Sequence, residues 1–359
     1  MFCIAAFIVF AVLAIFSASY RPLAAKAWHC VIRRVTFRPC DISFGEEMKG
    51  KLIGKLVFSH PRLAKVLDRW IDWISFAFVA LSIWSLLYVA NAGLNLWVYD
   101  TCDPGNGESC SLSGEACSVD TQPLTFIKAI EDGRTGEWVI GPFTRFVETM
   151  SRIPDRLRTW QPAEYVSPTA TYARPYDAAK PVALEIIDPG CRFCKKLTHN
   201  LEDAGAFDRA NVSYLLYPIP LPDGGTKFPN SMLVASYIEA AKHMPIASRP
   251  GAAGDWELLH AIFADAGKDE TDLQTRINIG LTRAQTEELL RSLLAEIGYT
   301  KSDIAQIAEA SASAAVKAAL LTQKQIVEER VRTIKIPTLL LKGRRFDRVI
   351  TPERISQLL

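Results

Sequence analysis

The residues best suited to chemistry are Cys191 and Cys194, held in the run Cys191-Arg192-Phe193-Cys194. Two cysteines three apart at the first turn of a helix share one face. The unpaired backbone N–H groups there, with the positive end of the helix dipole, stabilise a thiolate on the first of them. Arg192 places a fixed positive charge beside it. Thiol-disulfide exchange needs an exposed nucleophilic sulfur of lowered pKa and a second sulfur able to resolve the mixed disulfide, and this pattern supplies both. A CxxC can also be half of a zinc site. That reading requires a second CxxC or a paired histidine at the usual spacing; none follows, and His199 stands alone as a surface or packing residue. No metal and no cofactor is expected.

Elements that could position this pair lie on both sides of it. Val182, Ala183, Leu184, Ile186 and Ile187 form a short apolar run, broken only by Glu185, suited to a strand buried on both faces. Asp188-Pro189-Gly190 ends it, and a helix carrying Lys195, Leu197 and Leu201 follows. A second strand is expected over Val212 to Tyr217, stopped by Pro218, Pro220 and Pro222. Pro229 to Val331 is helical in pattern: Ser231 to His243, Trp256 to Asp265, Thr282 to Glu296 with Gln285 placed for a capping box, and Asp303 to Arg332. Leu339 to Leu341 and Arg348 to Ile350, joined across Lys342 and Gly343, predict a closing hairpin, and Pro352 opens a last helix. Residues 181–359 thus form an α/β sheet with an all-helical insertion at about 229–331.

The run from Ala183 through Cys191-Arg-Phe-Cys194 to Leu197 resembles the first core strand, active-site turn and helix of the thioredoxin superfamily, and within it the bacterial disulfide oxidoreductases of the Dsb type. Lys335-Ile-Pro-Thr-Leu-Leu-Leu-Lys-Gly343 resembles their later strand, which begins at a cis-proline facing the cysteines. The likeness covers about residues 176 to 359. It implies that Cys191 attacks, that Cys194 resolves, and that the Ile336–Pro337 bond is cis. Arg192, Phe193, Ile336, Pro337 and Thr338 would then line the groove that holds substrate backbone. Members of this superfamily often carry a buried acid beneath the active site, and Glu185, six residues before Cys191, occupies that position. An acid in an apolar strand can pass a proton to or from the resolving thiol, because burial raises its pKa towards working pH; the plainer alternative is an edge-strand glutamate facing solvent. The aromatic Phe193 resembles the isomerase and chaperone-type Dsb proteins rather than the Gly-Pro of reducing thioredoxins, so the redox direction stays open.

The N-terminal third is of another kind. Met1 to Tyr20 has no charged side chain, and Trp73 to Tyr99 gives 27 more uncharged residues. A membrane helix needs about 20 apolar residues, so residues 1–99 predict an anchor with spans at about 2–20 and 73–97, the second flanked by Trp70, Trp73, Trp97 and Tyr99 as interface anchors. The absence of a basic n-region and of a clear small-x-small site argues against a cleaved signal peptide. From Ser19 to Trp73 there are eleven Lys or Arg against five acidic residues, whereas Val98 to Ile127 has no basic and five acidic residues. The positive-inside rule puts that first loop in the cytoplasm and everything after Trp97 outside, in an oxidising compartment. More loosely, this region resembles anchors joined to thioredoxin-like domains in uncultivated prokaryotes. Residues 100–180 predict a Gly- and Ser-rich loop holding Cys102, Cys110 and Cys117, with Cys102 and Cys110 placed for a local disulfide, and then a Pro-rich linker from Gln161 to Pro181.

The 359 residues are 49% hydrophobic and 22% charged, which argues against wholesale disorder and against a transporter filling the chain. A net charge of +2 offers no basic field for nucleic acid. Eight cysteines are too few for a disulfide scaffold. Cys30 and Cys40, among Arg33, Arg34 and Arg38, predict either reduced structural thiols or the cytoplasmic end of a relay towards Cys191. The reading is an α/β thioredoxin-like fold with a large all-α insertion, preceded by two transmembrane helices: a membrane-anchored exoplasmic thiol-disulfide oxidoreductase. Its partners would be exported or membrane proteins with thiols or disulfides, and a redox partner in the membrane. The alternative is a non-catalytic module that presents its groove to a partner and keeps its cysteines as a static disulfide.

Overall fold

The computed structural model describes residues 2–16, 18–36, 61–99, 115–119, 125–222, 224–264 and 272–359. Cys40, Cys102 and Cys110, with the local disulfide expected between the last two, lie outside the described residues. The chain divides into two compact units, Met1–Ala90 and Asn91–Leu359.

In the first unit α1 (Phe2–Phe16) folds back on α2 (Arg21–Val35), with the Phe7 ring 5.0 Å from that of Trp28 and Phe10 6.3 Å from Tyr20. α1 has 15 residues, a rise of about 22 Å, short of the ~30 Å of a bilayer core. Of the expected first span at 2–20, α1 covers Phe2–Phe16, and the next α-helix begins at the charged Arg21. Cys30 on α2 is buried and disulfide-bonded, against the expectation of a reduced thiol. The helix α3 (Pro61–Tyr99) contains the uncharged stretch Trp73–Tyr99, the one unbroken helix among the described residues long and apolar enough to cross a membrane. Trp73, Phe76, Leu81, Leu86 and Val89 are exposed along it.

The second unit opens with β1 (Cys117–Ser118), α4 (Phe126–Glu131), α5 (Thr135–Ser151) and α6 (Ile153–Leu157). The Pro-rich stretch that follows does not space two domains. Trp160 and Tyr165 are buried in the core, the Trp160 N–H donates to the Gly343 carbonyl at 2.9 Å, and the Ala173 N–H to that of Val212 at 3.0 Å. Two large aromatic rings bury enough apolar surface to hold the segment on the sheet, while its prolines keep it from joining as a strand.

The core is then built from β2 (Val182–Ile187), α7 (Arg192–Asp203), α8 (Ala206–Arg209) and β3 (Asn211–Leu216), followed by the helical block α9 (Ser231–Ala241), α10 (Gly254–Phe263), α11 (Arg283–Ile297), α12 (Lys301–Ser311) and α13 (Ala314–Gln325). The chain returns through β4 (Lys335–Ile336), β5 (Thr338–Leu341), β6 (Arg344–Phe346) and α14 (Pro352–Leu358). Thr282 and Gln285 form the expected capping box. The single helix expected over Asp303 to Arg332 is instead two, bent by 59° at Ala312–Ser313, where the Ser313 hydroxyl caps α13 by accepting the Val316 N–H.

Four strands make one sheet in the order β3-β2-β5-β6, with β2 parallel to β3 and the other pairs antiparallel. β2 is central, so Glu185 faces Tyr214 on one side and Leu339 on the other, and the edge-strand alternative for it is excluded. The hairpin closes one turn earlier than expected. Lys342 (φ 47°) and Gly343 (φ 78°) both adopt positive φ. A two-residue turn of that kind returns the chain at once, so the second strand starts at Arg344 and not at Arg348. A separate two-stranded pair joins β1 to β4, antiparallel, with Cys117 opposite Ile336 and Ser118 opposite Lys335.

Candidate active site

β2 ends beneath the site because Asp188-Pro189-Gly190 turns the chain into α7. The Cys191 N–H donates to the Asp188 carbonyl at 2.9 Å, and Cys191 takes the N-cap position of α7, with its own carbonyl accepting from Cys194 N at 2.9 Å. A Cβ on Gly190 would overlap Cβ and Cγ of Phe228, so only glycine admits this approach. Replacing Gly190 with Ala is expected to lower stability by about 1–3 kcal/mol through overpacking, read as a lower denaturant midpoint. The helical block clamps the same turn: Gln274 donates to the Pro189 carbonyl and Asn278 to the Gly190 carbonyl, both at 2.7 Å.

Asp188, read from the sequence only as a strand stop, organises the loop. Its carboxylate accepts from the N–H of Gly190 at 2.8 Å, from the N–H of Ile219 at 2.7 Å and from the Ser231 hydroxyl, tying the active-site turn to the exit of β3 and to the start of α9. Burial raises its pKa to about 6, partly offset by these bonds. A buried carboxylate that meets several donors is the signal an Asp-Pro-Gly turn can carry, but its partners come from distant segments.

Cys194 is a free thiol, fully buried, and its Sγ accepts from the Asp188 N–H at 3.4 Å. Burial, and then the charge of Glu185, push its pKa well above the ordinary thiol value. Glu185 is buried too and accepts from the Thr198 hydroxyl at 3.2 Å on both oxygens; burial lifts its pKa to about 8. An acid that titrates near neutrality therefore lies in the field of a thiol that must lose its proton to react.

Facing the cysteines, the Ile336–Pro337 peptide is cis, and Cys191 Sγ lies 3.7 Å from the Ile336 carbonyl oxygen. The exposed Arg192 guanidinium sits 4.8 Å from the ring of the half-buried Phe193. Thr338 is turned the other way: it is fully buried, and its hydroxyl binds the Lys335 carbonyl, Thr333 and Asp347 at 2.7 to 2.9 Å. It braces the strand rather than lining a groove. His199 is half-buried on α7. Among the described residues no group of three or more His, Cys, Asp or Glu is placed for a metal ion.

Cys191 departs from the expectation of an exposed sulfur. It is wholly buried, because Cys117 is bonded to it in a disulfide with a Cα–Cα distance of 6.7 Å. The loop cysteine thus joins the active site itself.

A mixed four-stranded sheet, a CxxC at the start of the helix after its central parallel strand, and a cis-proline opening the antiparallel strand beside it together define a thioredoxin-type domain. No protein-family model matches the chain, and no curated protein does. Among solved structures it is similar to the thiol-disulfide exchange protein alpha-DsbA2 from Wolbachia pipientis, at 13% identity over 55% of this chain and 92% of that one, with a TM-score of 0.39. It is also similar to MdbA, a thiol-disulfide oxidoreductase from Corynebacterium diphtheriae, at 14% identity over 56% and 93% with a TM-score of 0.39. A third is ScsC from Proteus mirabilis in a transitional conformation, at 12% identity over 64% and 93% with a TM-score of 0.37.

Proposed function

We propose that this chain is a membrane-anchored thiol-disulfide oxidoreductase, with its thioredoxin-type domain on the exoplasmic side and exported or membrane proteins as substrates. One observation carries the reading: the helix-capping Cys191 is covalently joined to a distant cysteine while Cys194, one turn below it, stays a free thiol beside Glu185. That is the arrangement of an exchange reaction stopped between its two steps. The Cys191 thiolate attacks one sulfur of a substrate disulfide, forming the mixed disulfide as the substrate S–S bond breaks and its other sulfur leaves as a thiolate. Cys194, its proton taken by Glu185, attacks Cys191 Sγ and expels the substrate thiolate. In the other direction the same steps oxidise a substrate dithiol.

Support for the membrane part comes from Trp73–Tyr99 and from the basic excess before it. A first span over residues 2–20, of which α1 supplies the helical part Phe2–Phe16, and a redox partner in the membrane belong to this proposal. An impermeant maleimide applied to intact cells after mild reduction is expected to label Cys191; protection of Cys191 until the membrane is opened would place the domain inside. Catalysis is tested by exchange between glutathione disulfide and a reduced peptide dithiol, which the full chain is expected to accelerate. A second reading, a binding module with a static disulfide, is favoured by the burial of the bonded Cys191; it predicts no acceleration.

A further inference from the structure

We propose that Cys117 is a third redox-active cysteine, and that residues 115–119 occupy the position of the substrate strand. This rests on the exchange reading of Cys191 above. The segment does more than place a sulfur. It runs antiparallel along the residues just before Pro337, with Cys117 opposite Ile336 and Ser118 opposite Lys335. The Val119 N–H donates to the Ile334 carbonyl at 2.9 Å, and the Glu115 carbonyl accepts from the Val349 N–H at 3.1 Å. Glu115 also pairs with Lys196 on α7 at 2.5 Å, on the helix that Cys191 caps. Backbone pairing along a strand edge, with specificity left to a few side chains, is how extended peptides are recognised in general. Here the peptide is part of the chain, 74 residues from the sulfur it meets.

The bond it makes is an exchange intermediate. Cys194 thiolate attacks Cys191 Sγ; the Cys191–Cys194 bond forms, the Cys117–Cys191 bond breaks, and the electron pair leaves with Cys117 as a thiolate that takes a proton from solvent. One disulfide is present before and after, so no external oxidant is needed. In reverse, Cys117 attacks Cys191 and Cys194 leaves. Tethering holds Cys117 at an effective concentration on the order of millimolar, which an external disulfide has to exceed to reach Cys191.

The test uses the full chain in detergent, reduced, exposed to glutathione disulfide, quenched in acid and mapped by mass spectrometry without reduction. In Cys194→Ala, Cys191 is expected to shed glutathione to Cys117, so that the Cys117–Cys191 bridge accumulates and the Cys191 adduct stays below a tenth of that in Cys194→Ala/Cys117→Ser. In the parent chain, where Cys194 is present, the bridge should exchange with a Cys191–Cys194 disulfide, so that both bonds are recovered and the Cys117 thiol appears as the second forms. Glu115→Arg, which reverses the Lys196 pair and touches no cysteine, should raise the adduct in the Cys194→Ala background by a smaller factor. Equal adduct with and without Cys117 would overturn this inference and leave Cys191 an exchange thiol. A bridge that forms but does not pass to Cys194 would make Cys117–Cys191 a structural disulfide and overturn it as well. No adduct on Cys191 in either variant would overturn both this inference and the oxidoreductase reading.

Discussion

Exchange between glutathione disulfide and a peptide dithiol is expected to fall by roughly a thousandfold or more in Cys191→Ser, the scale on which loss of a nucleophile acts. The reason is positional. Cys191 is the only cysteine at the N-terminus of α7, where free N–H groups and the helix dipole favour a thiolate, whereas burial pushes the Cys194 thiol the other way. Cys194→Ser should keep the first half-reaction, visible as one glutathione released per Cys191 and a disulfide on Cys191 to glutathione or to Cys117, and lose turnover. Loss of both half-reactions in Cys194→Ser, with Cys191→Ser still active, would reverse the two roles. Circular dichroism and the denaturant midpoint show whether either variant has lost the fold.

Glu185→Gln carries the second large effect, and it moves two readouts. Resolution should slow by about 10²-fold, the lower end of general-base contributions, because Glu185 acts on the Cys194 thiol more strongly than the other nearby carboxylate, Asp188, which is held by three donors. In the parent chain the resolution rate should rise with pH and level off above about 8, following Glu185 ionisation; in the variant that inflection should vanish. Stability moves in the opposite sense. The folded pKa of Glu185 is raised from 4.5 to about 8, so the unfolded chain ionises first, and the stability present below pH 4.5 is lost as pH rises towards 8. Glu185→Gln removes that loss, and should be the more stable protein at pH 8 by up to about 5 kcal/mol at ~1.4 kcal/mol per unit, with little difference at pH 4. A variant that resolves normally across this range would make Glu185 a buried residue without a part in proton transfer.

Much of the site was legible because it is local. The four residues from Cys191 to Cys194 carry both sulfurs, and a proline after Lys335-Ile336 marks the facing strand. Glu185 stood out as one acid in an apolar run, though only the central place of β2 shows that it is buried. The helical insertion followed from periodicity, while its last helix was read through the break at Ser313, because a run of small and apolar residues conceals a serine that caps. The register of the hairpin depended on positive φ at Lys342, a residue that seldom adopts it. What could not be read was closure over distance. Nothing near Cys117 distinguishes it from Cys102 and Cys110 until β1 pairs with β4. Asp188 likewise gains its meaning only from Ile219 and Ser231.

The most direct measurement is a redox titration of the full chain in glutathione buffers, with thiols trapped in acid and assigned by mass. A redox-active Cys191–Cys194 pair predicts a reversible two-electron transition, in which the ratio of disulfide to dithiol changes tenfold for about 30 mV of buffer potential. The same midpoint should be reached from the oxidised and from the reduced side. Cysteines that stay in one state across the whole buffer range, or that fail to return to the same midpoint from both directions, would contradict an exchange role and leave the domain a binding module held by a static disulfide.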